Sequence, residues 1–419
     1  MERDPPGVGR ARRRPPLPVL TTLRFFAAAE VVAFHAAQTR PGWEKPVGLL
    51  SGLISGGHAA VIFFFVLSGF ILAYVHAGAS EHAACGVKAL RFWRLRFARI
   101  APAYYLALVL ALPIVAHVVA QSAASSWSIA AGLATVMLFL QAWWPAYITL
   151  WNFPAWSLSV ECLFYALFPW LVRTGARWPA TIVLAASYAL IVLASVWRVD
   201  LLSWTSIQAQ TPLDDWLVLS FFPVLHLPLF ILGMAMARLF LFGPELSPRL
   251  HAAMLGIGVG LLVVIFGAAS MLPSWTRSDA ALVPVFALVI FGGAGATSAV
   301  PVLTLPVFLL LGEASYAIYI LHIPLRYCWE ILVDSVGMSL SPWLNFPLYF
   351  AFVVLVSVVV FRQIETPMRK WIAGHDRECS HRVAVATVAG GGPIFCVPEG
   401  GRGKDHSEDH QVCSRNDCS

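Results

Sequence analysis

Long apolar stretches alternate with short polar ones along most of the chain. They run near 20–38, 59–76, 100–120, 128–144, 157–172, 179–197, 217–241, 252–272, 280–297, 306–325 and 344–361. Each is close to the roughly 20 residues a helix needs to cross about 30 Å of hydrocarbon. No ten-residue alternating pattern punctuated by turns occurs, which argues against a membrane β-barrel. The pattern predicts an all-α, polytopic membrane helical bundle with eleven candidate segments.

The charges between the segments suggest how the chain is threaded. Basic residues crowd 1–18 (RARRRPPLP), 86–99 (Lys88, Arg91, Arg94, Arg96, Arg99), 238–249 and 362–370. The segment 39–58 is weakly charged, and 198–216 carries Asp200, Asp214 and Asp215. By the positive-inside rule the basic stretches are cytoplasmic, which places both termini in the cytoplasm. That requires an even number of crossings, so about ten transmembrane helices and one partial or re-entrant segment are expected. The candidates for the partial segment are 128–144 and 157–172. The second is singled out because it is short and carries Glu161 and Pro169, as a broken helix lining a cavity would. The expected organisation is a disordered basic arm over 1–18, a transmembrane domain over 19–371, and a disordered cytoplasmic tail over 372–419, where apolar periodicity stops.

Composition narrows the class. The chain has 419 residues, of which 59% are hydrophobic and 12% charged. Its mean hydropathy is +0.74. A soluble domain carries about twice that charge fraction, so the excess apolar surface needs a lipid environment. The net charge of +6 then reports orientation and does not imply nucleic-acid binding. Trp43, Trp143, Trp144 and Trp275 fall near segment ends, where indole rings suit the interface. The seven cysteines include no CxxC pair, so neither a metal centre nor a disulfide framework is expected. The first apolar run holds Arg24, Glu30 and His35 and has no A-x-A cleavage site after it, so a cleavable signal peptide is not expected.

The candidate chemistry centres on that first run, LTTLRFFAAAEVVAFHAA. Eleven positions separate Arg24 from His35, and at about 100° each they close three turns with about 20° to spare. Both side chains therefore share one helix face, roughly 16 Å apart along the axis. His35 falls near the bilayer midplane, where a titratable ring marks either a functional site or a hydrogen bond between helices. Lys88, Arg91, Arg94, Arg96 and Arg99 form a basic collar. Collars of this kind serve topology and headgroup contact, but Arg96 and Arg99, one turn apart, could also fork onto phosphate oxygens with Arg24 beside them. A ligand with phosphates at the surface and an arm of about 16 Å fits that span, and a coenzyme A thioester has this shape. Glu161 in WSLSVECLFY is a carboxylate in an apolar setting and needs a partner. Ser68–Gly69 reads as a close-packing point, and no GxSxG elbow makes Ser68 a nucleophile. Ser315, Tyr319 and His322 line one face of LGEASYAIYILHIPL, as substrate support or as an interhelical hydrogen-bond ladder. Glu365 of IETP reads as a terminus clamp.

These residues carry a resemblance. LRFFAAAEVVAFHA, FFFVLSGFILAY, RFARIAPAYY, WSLSVECLFYALFP, FILGMAMAR, LGEASYAIYILHIPL and IETP, in that order over about 19–371, resemble the acyltransferase-3 family of bacterial membrane O-acyltransferases. The resemblance implies about ten crossings and an acyl-CoA donor, with acetyl-CoA the expected co-substrate and no permanently bound cofactor. It implies transfer to a hydroxyl of a carbohydrate or glycolipid acceptor of the cell envelope, in the bacterial inner membrane. It also implies His35 as the central catalytic residue, Glu161 as its family carboxylate, and Arg24, Arg96 and Arg99 as the basic positions. Glu30 stands where an apolar residue is expected, and pairing with a collar arginine or tuning of His35 through the helix would account for it.

On this reading His35 removes the proton from an acceptor hydroxyl, or takes the acyl group itself. An open route joining the arginines to His35 is then expected. A rival reading is a transporter with a His35–Glu161 proton relay. That reading predicts inverted repeats, and the two halves of the chain show no self-similarity. A purely structural scaffold would leave the collar and the placement of His35 and Glu161 without a common cause.

Overall fold

The structure, a computed structural model, describes residues 14–38, 49–76, 89–121, 125–148, 151–207, 220–337 and 340–372. The expectations for the first thirteen residues and for the tail lie outside these. All described regular structure is helical. In chain order the helices are α1 (Pro18–Gln38), α2 (Leu49–Leu53), α3 (Gly57–His76), α4 (Ala89–Gln121), α5 (Ser126–Met137), α6 (Pro145–Ile148), α7 (Trp156–Gly175) and α8 (Ala180–Ile207). They continue as α9 (Leu227–Phe242), α10 (Pro248–Gly267), α11 (Asp279–Gly295), α12 (Pro306–Glu313), α13 (Ser315–Ser335), α14 (Pro342–Val360) and α15 (Thr366–Ile372). A π-turn over Phe361–Glu365 joins the last two.

Among the described residues, eight spans are long and apolar enough to cross a membrane, or nine if α12 and α13, bent by 60° at Ala314, count as one. The eleven segments read from the pattern all appear as helices. Two are short: α5 has 12 residues and α11 has 17. Twelve residues rise only about 18 Å, well under the hydrocarbon thickness. The partial segment is therefore 128–144, whereas 157–172 lies in a full-length span, Phe153–Gly175. The apolar run of α5 continues past the helix end. The backbone turns at Phe139, which takes φ 59°, and then runs through a short 3-10 turn at Gln141–Trp143. This irregular stretch is covered by protein: Gln141 is buried and donates to the Ala155 carbonyl at 2.7 Å.

Close backbone contact sets the packing at the centre. A Cβ on Gly69 of α3 would lie 2.0 Å from the Phe230 carbonyl oxygen, and one on Gly233 of α9 would lie 2.0 Å from that of Val66. Only glycine permits such reciprocal contact, so α3 and α9 pack at their backbones, as small residues allow in membrane bundles. Gly69 thus has the packing role expected of it. On its other sides α1 packs against α3, α11, α12 and α13, and α13 packs against α4 and α14. The Arg24–His35 face of α1 is thereby placed inside the bundle.

Candidate active site

The residues predicted for chemistry fall into two adjoining layers. The first surrounds a cavity of about 150 Å³ between α1, α3, α4, α7 and α13. Its wall carries Arg24, Arg96, Arg99, Glu161, Ser68 and Ser315, together with Ser157, Tyr165, Tyr316 and Tyr319. A space of this size has room for several waters, and the charged and hydroxyl groups on its wall can hold them. Arg96 and Arg99 face it because one turn of α4 separates them. Arg94 is exposed and absent from the wall, since its offset of about 200° from Arg96 turns it away. Of Arg24, Arg94, Arg96 and Arg99, three therefore line the cavity and Arg94 does not.

The charge in this layer is unbalanced. Glu161 accepts a hydrogen bond from the Tyr165 hydroxyl at 3.2 Å, and among the described residues no ion pair joins it to an arginine. Glu365, buried at the end of the π-turn, lies within electrostatic reach of Arg99, Arg369 and Arg24. Sequence reasoning assigned it to a helix terminus. Its inward placement depends on the extra residue of the π-turn, and such turns are frequent at functional sites. Arg24, Arg96 and Arg99 still outnumber the two carboxylates. The buried Arg96 Nε and Ser315 Oγ have no hydrogen-bond partner among the described residues. Unpaired donors beside uncompensated positive charge favour an anionic ligand.

The far end of the cavity is closed by a hydroxyl cluster. The Tyr319 and Ser157 hydroxyls lie 2.9 and 3.1 Å from the Pro154 carbonyl and 2.8 Å from each other. With one hydrogen each, one donates to the carbonyl and the other to its neighbour. Phe64 packs on the Tyr319 ring, with centroids 6.1 Å apart.

The second layer lies beyond Tyr319. Buried His322 places Nδ1 2.6 Å from the Tyr319 carbonyl and Nε2 3.2 Å from His35 Nδ1. His35 Nδ1 is also 2.9 Å from the Val31 carbonyl. These partners assign the tautomers. His322 Nδ1–H donates to Tyr319, so its Nε2 is an acceptor. His35 Nδ1–H is then shared between Val31 and His322, and its basic lone pair is on Nε2. The Tyr349 hydroxyl donates to the His322 carbonyl at 2.9 Å, and Phe153 packs edge-on against the His35 ring. His35 is thus directed to protein and not to lipid.

The structure brings together Arg24, Arg96, Arg99, Glu161, Ser68, Ser315 and Tyr319 around one cavity, and His35 with His322 behind it. It does not place His35 on the cavity wall. The expected open route is interrupted by Tyr319, which touches both layers. The His35–His322 contact links residues 287 positions apart, which spacing arithmetic within one helix cannot reach. Glu30 pairs with no collar arginine. Its Oε1 accepts the Gly56 N–H at 2.9 Å, at the start of α3.

Comparison with known proteins identifies the family. A family model described as an acyltransferase domain matches residues 18–362. The chain is 30% identical over 335 residues to the protein named Acyltransferase MdmB of Streptomyces mycarofaciens, covering 77% of this chain and 82% of that protein. No solved structure matches.

Proposed function

The chain belongs to the acyltransferase-3 family and is a multi-pass membrane acyltransferase, and from that premise we propose that its donor is a coenzyme A thioester, with acetyl-CoA foremost. The acceptor is a hydroxyl of a carbohydrate or glycolipid of the cell envelope. The protein sits in the plasma membrane with both termini cytoplasmic, and the basic end of the bundle takes the donor from the cytoplasm.

The observation that carries this reading is the excess of guanidinium over carboxylate around one cavity, one layer below an oriented imidazole. Arg24, Arg96 and Arg99 hold the donor phosphates. The thioester arm extends along α1 past Tyr319, whose displacement with Phe64 joins the two layers. His35 Nε2 takes the proton of the acceptor hydroxyl as its oxygen attacks the thioester carbonyl. The carbonyl carbon–sulfur bond breaks as the carbon–oxygen bond forms. The imidazolium returns its proton to the departing thiolate, so the products are the ester and free coenzyme A. Glu161 with Tyr165 orders the arginine layer, and Ser68 and Ser315 offer hydroxyls to the arm.

General-base catalysis supplies about 10²- to 10⁴-fold, so His35→Ala should lose that much turnover while still inserting and folding. Thiol release from acetyl-CoA by the purified protein, with mass spectrometry of envelope glycans for a missing acyl mass, measures it. Normal glycan acylation in the variant would remove His35 from the mechanism. A covalent acyl-histidine trapped in the wild-type protein would replace the base role with a nucleophilic one.

A further inference from the structure

A second cavity, of about 490 Å³, lies between α1, α3, α10 and α11 and shares no wall residue with the arginine cavity. Leu23, Ala27, Ala60, Leu262 and Phe286 typify its lining, which is apolar except at one place. There Glu30 enters from α1. One of its oxygens holds the Gly56 N–H, and among the described residues no other hydrogen bond and no cation meets this carboxylate. The volume falls in the range of small-molecule sites, roughly 300–1,000 Å³, which are mostly apolar with few placed polar groups. A carboxylate that stays ionised facing an apolar chamber inside a membrane bundle is costly unless a cation arrives to pair with it. A lipid tail alone would fill the space and leave that carboxylate unanswered.

We propose that this cavity binds an apolar amine, its hydrocarbon body between α1, α10 and α11 and its protonated nitrogen on Glu30. The site is separate from the donor cavity and stands whether or not the donor is a coenzyme A thioester.

The test uses the full chain in phosphatidylcholine nanodiscs at pH 7. A diazirine-bearing alkylamine and the alcohol of equal chain length are photo-crosslinked to it, and labelled peptides are identified by mass spectrometry. The amine should label α1 and α10 saturably, with an apparent affinity at least about tenfold above that of the alcohol, because hydrogen bonds to charged groups are the strong ones. Glu30→Gln keeps an oxygen for the Gly56 N–H and should abolish that preference without disturbing the start of α3. Ala60→Phe fills the chamber and should suppress amine labelling with the carboxylate intact. Equal labelling by amine and alcohol, or no response to Glu30→Gln, would mean a lipid-filled crevice and would overturn the proposal.

Discussion

The contact between His322 and His35 gives a sharp test of the site. Replacing His322 by Leu keeps much of the volume but removes the acceptor at 3.2 Å from His35 Nδ1. His35 Nδ1 then still has the Val31 carbonyl at 2.9 Å but has lost the His322 acceptor. A typical hydrogen bond is worth about 0.5–1.5 kcal/mol, which converts to a factor of about 2–13 in the fraction of correctly oriented base. Turnover in thiol release should fall by roughly that factor, well short of the 10²- to 10⁴-fold loss expected for His35→Ala. The KM for acetyl-CoA should stay within about twofold of wild type, because His322 is not on the cavity wall. His322→Gln, whose amide oxygen can accept from His35, should recover most of the loss. The double variant with His35→Ala should be no worse than His35→Ala alone, since an orienting residue has nothing left to orient. A rise in KM at unchanged turnover, no rescue by Gln, or an additive double variant would refute the assignment.

Other outcomes follow from the same geometry. Arg96→Ala and Arg99→Ala should each raise the KM for acetyl-CoA about tenfold or more, yet leave a phosphate-free pantetheine thioester nearly unaffected, whereas Arg94→Ala should change neither in steady-state assays. Gly69→Val places branched carbons where even a Cβ meets the Phe230 oxygen at 2.0 Å, so the purified protein should melt earlier by an amount matching about 1–3 kcal/mol or fail to insert. Single cysteines placed in 145–155 and in 173–178 should be labelled from opposite sides of the membrane, because a full-length span joins them; labelling from one side would contradict that span.

Much of the fold was legible because lipid imposes a length and a polarity on every crossing. Each of the eleven apolar runs became helical on that basis alone, the run at 306–325 as a bent pair. Which of them is short was not legible, since the run at 128–144 stays apolar through the turn at Phe139. Hydropathy records composition and is blind to φ. In the site, relations within one helix could be worked out in advance: Arg24 with His35, Arg96 with Arg99, and Ser315 with Tyr319. Relations between helices could not. The meeting of His35 with His322, the inward turn of Glu365, and the grip of Glu30 on Gly56 depend on how distant segments pack. Arg94 was included for its charge, when its angle on α4 already set it apart from Arg96.

The elbow at Ala314 has a mechanical consequence. Tyr319 and His322 lie five and eight residues beyond it on α13, about 7.5 and 12 Å along the helix. A swing of 10° would carry them about 1.3 and 2.1 Å, always in the same proportion. Any flexing of the elbow would therefore shift the plug between the two layers and the partner of the basic ring together.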